Sequence, residues 1–222
     1  VAKALVSVIT TAYNARHTLA RAIMSLRAQS WADWCHVIID DGSVDETEEI
    51  ARHWSRLDNR ISVISRRNGG IGAALNTGVS AAEGDYIAFL DADDEYLPTH
   101  LEKRIRFLQK NSQIDLLWGG MQVMYKNTQD TLVPDLDSGA GVIPILSCCV
   151  TGTLVGKREV FQAVPFSEDR SVWNPDYEFL QRVKKRFSVS RFRLATYRYY
   201  RNSGASAFDK FKASGTMQSY YV

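Results

Sequence analysis

The chain has 222 residues, 45% of them hydrophobic and 23% charged, with a formal net charge of +2. That length suits one medium-sized domain with a buried core, and the composition excludes a disordered tract. A charge so close to neutral gives no electrostatic footprint for nucleic acid.

Cysteine and histidine usage narrows the class further. Cys35, Cys148 and Cys149 are odd in number and lack metal-ligand spacing, which points to reduced thiols and a cytoplasmic protein. His17, His36, His53 and His100 are scattered, so neither a zinc site nor a Ser/His triad is expected. The longest apolar run, Val142 to Val150, is broken by Pro144 and falls far short of the roughly 20 residues that span a bilayer. The expectation is a soluble chain without a secretory signal, with peripheral contact at the inner membrane face its one route to a membrane. With no initiator Met, it is expected to be a trimmed piece of something longer.

The N-terminal region alternates regularly. Leu5 to Ile9 reads as a strand ending in Thr10-Thr11-Ala12-Tyr13-Asn14, and a helix fits 16–29 with Leu19, Ile23 and Leu26 along one face. Val37 to Ile39 is the next strand and ends in Asp40-Asp41-Gly42-Ser43. Ser43 or Asp45 can cap the following helix, whose buried face would carry Ile50, Trp54 and Leu57. A third strand, 61–64, precedes Gly69-Gly70-Ile71-Gly72 and a small-residue helix over 73–82. The strand at 86–90 and a helix from Pro98 to Lys110 complete four β-then-α units. After residue 114 the pattern loosens: a strand over 114–125, a polar connection over 126–141, a strand over 151–155 and a short helix over 157–163. Asn174 and Pro175 then open a helix over 175–187, with an apolar stripe of Phe179, Leu180, Val183 and Phe187. A strand over 190–199 leads into an aromatic tail.

This order predicts right-handed βαβ crossovers and a mainly parallel sheet flanked by helices. The chemistry-bearing residues recur after each strand and before each helix, so Thr10–Asn14, Asp40-Asp41, Gly69-Gly70 and Asp91–Asp94 should meet along one sheet edge, where open α/β sheets bind ligands. The densest stretch is Asp91-Ala92-Asp93-Asp94-Glu95, directly after a buried strand. Its repulsion calls for an offset, and a hard divalent cation with oxygen ligands supplies one.

Residues 5–124 resemble the N-terminal half of family 2 glycosyltransferases with the GT-A fold. The resemblance rests on Val6 to Asn14, Ile39-Asp40-Asp41-Gly42-Ser43, Gly70 to Gly78 and Asp91-Ala92-Asp93-Asp94. In the C-terminal half, Lys157 to Phe161 and Pro175 to Phe179 are similar to their counterparts there. The implied architecture is a single domain, with a nucleotide-sugar half over 1–125 and a smaller, mixed acceptor-side half over 126–222. The implied function is inverting transfer of one sugar from a nucleotide diphosphate donor, UDP by family frequency, to a hydroxyl of a glycan or lipid-linked acceptor.

A nucleoside pocket needs a flat apolar surface, which Tyr13 could supply, and an acceptor for a base N–H, which Asp41 could supply with Thr11 and Asp40 nearby. The resemblance places base and ribose there. It also implies that Asp91, with Ala92, meets the ribose side of the donor, that Asp93 holds Mn²⁺ or Mg²⁺, and that Asp94 faces donor sugar or acceptor. Glu95 exceeds what one metal requires and should face solvent or be structural. Gly70 reads either as part of a phosphate cradle or as tight packing of a Gly/Ala helix. Arg201-Asn202-Ser203 resembles a tail stretch that touches the diphosphate. Asp176 shares the stripe of Phe179 and Leu180, so it should face inward as the general base, with Glu178 in reserve. The family's usual Glu-Asp is Pro175-Asp176 here.

Other classes fit less well. No G-x-G-x-x-G follows the first strand, which argues against a nicotinamide dehydrogenase, and no Walker-type Gly-Lys-Ser/Thr stretch is present. A Gln-x-x-Arg-Trp motif is absent, so single addition is expected rather than processive synthesis. The rivals are a sugar-1-phosphate nucleotidyltransferase and a non-catalytic nucleotide-sugar binding module. The first wants a Gly-rich basic loop where Thr10–Asn14 stands. The cations from Arg182 to Arg201 read as a solvated face, a wall around the diphosphate, or a landing strip for an anionic lipid-linked acceptor.

Overall fold

The structure, a computed structural model, describes residues 4–124, 132–134, 142–172 and 174–201. Four parallel strands come first: β1 (Val6–Ala12), β2 (Trp34–Asp40), β3 (Ile61–Ser65) and β4 (Tyr86–Phe89). Between and after them run helices α1 (Leu19–Arg27), α2 (Thr47–Leu57), α3 (Ile71–Ala81) and α4 (His100–Lys110), with a short strand β5 (Glu95–Tyr96) before α4. The remaining elements are β6 (Leu116–Trp118), β7 (Met121–Met124), β8 (Leu132–Pro134), β9 (Val142–Pro144), β10 (Val155–Lys157), α5 (Arg158–Ala163), α6 (Pro175–Lys184), β11 (Val189–Arg191) and β12 (Tyr197–Tyr200).

The main sheet has seven strands in the order β11-β6-β10-β4-β1-β2-β3, and only β10 runs antiparallel to its neighbours. The chain steps outward from β1 to β2 and β3, then returns to place β4 on the other side of β1. That reversal is a topological switch point, and it opens a crevice at the C-terminal ends of β1 and β4.

Strand alternation divides the core into two faces. Val8 and Ala88 pack on one side with Leu19, Ile23 and Leu26 of α1 and Leu101 and Ile105 of α4. Ile9, Ile87 and Phe89 pack on the other with Leu75 of α3, Phe161 of α5 and Phe179 and Val183 of α6. Period-2 alternation on buried strands therefore builds a three-layer α/β/α domain. Helix α3 lies closest to the sheet: a Cβ added to Gly78 would overlap Ile9, and one added to Gly72 would overlap the Ser167 carbonyl.

Several boundaries differ from the sequence reading. Leu57 is 59% exposed, because Ala51 is the buried centre of α2 and the helix ends at Leu57. Asp45 rather than Ser43 secures the start of α2, accepting from the Thr47 amide at 3.0 Å. Helix α4 begins at His100 rather than Pro98, whose carbonyl accepts from the Ser30 amide. The single strand expected over 114–125 is two strands in different sheets, because Gly119 and Gly120 take positive φ values of 81° and 72°. The strand expected over 151–155 is a 3-10 turn at 151–153 followed by β10. The strand expected over 190–199 divides into β11 and β12. A second sheet, β5-β12-β7, thereby joins the segment after the acidic run to the C-terminal part. Within the expected 126–141 connection, 132–134 form β8, paired with β9; residues 126–131 and 135–141 lie outside the described residues. So do Asn202, Ser203 and the tail.

Candidate active site

Two groups of residues gather at the C-terminal edge of the sheet. The first lies beyond β1 and β2. Thr11 is half-buried in β1, Tyr13 is 53% exposed, and the Asn14 amide donates to Ser43 Oγ at 3.0 Å, tying the two strand ends together. Asp40 and Asp41 are both buried. Asp41 accepts the amides of Gly69 (3.1 Å) and Gly70 (2.8 Å) and pairs with Arg66 Nε at 3.4 Å. The Gly70 amide is thus taken up by a carboxylate, and its φ of 88° sets the turn into α3. Two oxygens offer about four lone-pair directions, which leaves Asp41 room for a further donor. Arg170 covers Gly70 and donates to Asn68 Oδ1; Asn68 Nδ2 in turn donates to the Asp41 carbonyl at 2.9 Å.

The second group lies beyond β4. Asp91 and Asp93 are half-buried, Ala92 is 8% exposed, and Asp94 is fully buried. Tyr197 Oη donates to Asp94 Oδ2 at 2.6 Å, receives the Asp91 amide at 3.3 Å and lies 3.2 Å from Asp91 Oδ2. The Tyr200 amide donates to Asp94 Oδ1 at 2.8 Å. Asp94 was expected to face donor sugar or acceptor; instead it points inward and anchors β12 to the acidic turn. Glu95 is structural, accepting from Tyr200 Oη at 2.5 Å and pairing with Arg198 at 3.4 Å. Arg21 donates to the Asp93 carbonyl and lies 4.0 Å from the Tyr200 ring centroid.

Asp176 enters from α6, whose first turn is fixed by Asn174 Oδ1 accepting the Tyr177 amide at 3.1 Å. Its carboxylate accepts the Thr151 amide at 3.0 Å. Glu178 is engaged by Arg182 one turn along at 2.5 Å. Burial pushes Asp176 above the ordinary carboxylate range. Burial, then the charges of Asp93 and Asp176, push Asp91 up to about 7. Desolvation, then Asp93 and Asp91, raise Asp94 as well. Asp91 therefore feels both Asp93 and Asp176, and Asp94 feels Asp93 and Asp91, in a site arranged to receive positive charge. Arg201 is 2% exposed, and its charge is felt by the Tyr199 hydroxyl together with those of Asp94, Asp93 and Asp91. A groove lined by Gly70, Ile71, Ser167, Arg170 and Pro175 connects the first group to the start of α6.

Among the described residues, no group of three His, Cys, Asp or Glu side chains forms a ready metal cage. One or two carboxylates that share a small hard cation with substrate phosphates and water need no such cage. Asp93, next to a second acid whose protonation it already perturbs, suits that arrangement.

A family model described as glycosyl transferase family 2 matches residues 7–141, more than half of the chain. The chain belongs to this family. The family 2 domain is 35% identical over 125 residues to WfgD of Escherichia coli, a UDP-Glc:alpha-D-GlcNAc-diphosphoundecaprenol beta-1,3-glucosyltransferase, covering 56% of this chain and 48% of that one. It is 40% identical over 111 residues to TuaG of Bacillus subtilis, a glycosyltransferase named for teichuronic acid biosynthesis, covering 50% of this chain and 44% of that one. The chain thus spans less than half the length of these curated relatives. Staphylococcus aureus TarS in complex with UDP superposes with a TM-score of 0.70 at 21% identity, covering 92% of this chain and 62% of that one. The mannosyltransferase PcManGT of Pyrobaculum calidifontis, in complex with GDP-Man and Mn²⁺, gives 0.69 at 15% identity, covering 97% and 66%. The fold of the family 2 domain is GT-A.

Residues the sequence reading missed are Tyr197, Thr151 and Arg21. Thr151 reaches the site on a 3-10 turn and Tyr197 on β12 of the second sheet, placements that no local pattern announces. Arg21 looks like any exposed cation on an amphipathic helix.

Proposed function

We propose that the protein is an inverting glycosyltransferase that moves one sugar from a nucleotide diphosphate donor, most simply a UDP-sugar, to a hydroxyl of a glycan or lipid-linked acceptor in polysaccharide synthesis at the cytoplasmic side. The observation that carries this reading is the approach of Asp176, on α6, to Asp91, on the turn after β4, at the switch-point crevice, with the Thr151 amide holding the Asp176 carboxylate there. The similar proteins, among them a UDP complex, a GDP-Man complex and an enzyme acting on a diphosphoundecaprenol acceptor, support the reactant classes.

In this reading Tyr13, Thr11 and Asp41 receive the nucleoside, Asp41 offering a lone pair to a base N–H. Asp91 and Ala92 hold the ribose side, and Gly70 and Arg201 border the diphosphate. Asp93 holds Mn²⁺ or Mg²⁺, which when bound neutralises charge on the departing diphosphate. Asp176 takes the acceptor proton as the hydroxyl attacks the anomeric carbon from the face opposite the leaving oxygen. Its raised pKa makes it a stronger proton acceptor than an exposed aspartate, and the Thr151 amide fixes the second oxygen so that one lone pair stays aimed.

The test is calorimetric titration with UDP, GDP, dTDP and CDP, each with Mn²⁺ and with EDTA. One nucleotide should bind in a metal-dependent manner, and Asp93→Ala should abolish the metal dependence. If none binds, the acidic turn is structural and the reading fails. If binding survives Asp176→Asn while the wild type shows no turnover, a non-catalytic binding module is the better description.

A further inference from the structure

From Phe179 to Arg201 the chain holds no acidic residue. Of its cations, Arg182 pairs with Glu178, Arg198 pairs with Glu95, and Arg201 is buried. Lys184, Lys185, Arg186, Arg191 and Arg193 remain exposed.

Trp118 is the centre of this surface. Lys184 Nζ lies 5.9 Å and the Arg191 guanidinium 5.2 Å from its ring centroid. Arg191 also donates to the Leu146 carbonyl at 2.7 Å, which fixes the 145–147 turn beside it. Two leucines stand open among these cations: Leu146 is 49% exposed, and Leu194, next to Arg193 and against Gly120, is 57% exposed. Asp115, the acid at the base of β6, is engaged by Lys157 and does not neutralise the patch.

The surface faces the same way as the active site. Strand β6 runs parallel to β4, both being antiparallel to β10, so Trp118 and Asp91 lie at the same sheet edge. One turn spans the interval: Thr153 Oγ1 accepts the Gly119 amide at 3.0 Å, while Thr151 donates to Asp176 at 3.0 Å. A 3-10 turn rises only about 2 Å per residue, so surface and site are immediate neighbours.

We propose that this surface docks the protein on an anionic lipid bilayer. Leu146 and Leu194 would enter the headgroup boundary, and Arg191, Arg193 and Lys184 would meet lipid phosphates. Exposed leucines flanked by cations, with a tryptophan held between them, suit the boundary between hydrocarbon and charged headgroups. A soluble polyanion needs the cations but gives the leucines nothing to bury in. Docked this way, the crevice opens toward the membrane plane, where an acceptor with a lipid anchor presents its sugar. The inference goes beyond the sugar-transfer reading, and vesicle binding reads it with neither donor nor acceptor present.

The test is co-flotation with vesicles of phosphatidylcholine alone and of phosphatidylcholine mixed with phosphatidylglycerol. The protein should bind the mixed vesicles, bind neutral ones far more weakly, and release as salt rises. Arg193→Ala should weaken binding about fivefold, and Arg191→Ala with Arg193→Ala about 25-fold, at roughly one headgroup attraction per cation. Leu146→Ser with Leu194→Ser should weaken it too, with the thermal midpoint of each variant checked against wild type. Equal binding to both vesicle types, or none to the mixed ones, overturns the proposal. So does unchanged affinity in a folded leucine variant together with full competition by heparin, which would identify a polyanion site instead.

Discussion

Tyr197 Oη sits 2.6 Å from Asp94 Oδ2 and at the same time receives the Asp91 amide, so one hydroxyl from the C-terminal part holds both ends of the acidic turn. The hydroxyl is itself held in place by Gly152, where an added Cβ would overlap it. Tyr197→Phe leaves a buried carboxylate and a buried amide each short of a partner. Denaturant unfolding should show a loss of about 1–3 kcal/mol. UDP affinity should fall in the folded variant, because the Asp91 peptide is no longer fixed; unchanged affinity would reduce Tyr197 to a stability role. Gly152→Ala should produce the same two effects, and the pair should be less than additive, since both act on one hydroxyl.

Asp176 gives a kinetic prediction with a defined sign. Asn at this position can still accept from the Thr151 amide but cannot take a proton, so UDP should bind as in wild type while turnover drops about 10²–10⁴-fold. Because burial raises the Asp176 pKa, the acidic limb of the wild-type rate profile should lie above the ordinary carboxylate range, with rate lost as pH falls through it. A limb at the value of an exposed aspartate, or substantial turnover in Asp176→Asn, would remove Asp176 from the role of base.

The N-terminal half was legible because its information is local. The runs Val6 to Ile9, Val37 to Ile39 and Tyr86 to Phe89 are buried strands whose ends carry Thr11, Asp41 and Asp91, and parallel topology brings those ends together without further detail. The inward setting of Asp176 was likewise legible from the spacing to Phe179 and Leu180. What could not be read depended on pairs distant in sequence. The inward turn of Asp94 follows from Tyr197, 103 residues away, and the division of 114–125 into two sheets follows from the φ of two glycines. The expected strand at 151–155 is a turn because Thr153 Oγ1 bonds back to the Val150 carbonyl at 2.7 Å while also meeting the Gly119 amide, a choice made by tertiary contact over propensity.

Asp93 should show a trade between stability and binding. Its charge helps raise both Asp91 and Asp94, so the three carboxylates of the acidic turn work against one another's ionisation. In EDTA at pH 8, Asp93→Asn should raise the thermal midpoint by the equivalent of about 0.5–1 kcal/mol, in the range common for relieving a strained functional site. The same variant should lose metal-dependent UDP binding. A destabilised Asp93→Asn would mean that the carboxylate is needed by the fold.

His36 gives the fold a separable acid sensitivity. It is fully buried in β2 with Nε2 2.8 Å from Thr10 Oγ1, and burial lowers its pKa from 6.5 to about 3. A histidine whose folded pKa is depressed favours folding above its unfolded pKa, and that contribution is lost as pH falls from about 6.5 toward 3, where the unfolded chain binds the extra proton. Between pH 7 and pH 5 the wild type should therefore lose about 2 kcal/mol that His36→Gln does not lose, at about 1.4 kcal/mol per pH unit below 6.5. His100, also buried and also depressed, adds a loss of the same sign that both proteins share. The raised Asp91 and Asp94 act in the opposite direction and are common to both as well, so the difference in slope isolates His36. Parallel curves of stability against pH for the two proteins would show that His36 takes up its proton as readily in the fold as in the unfolded chain.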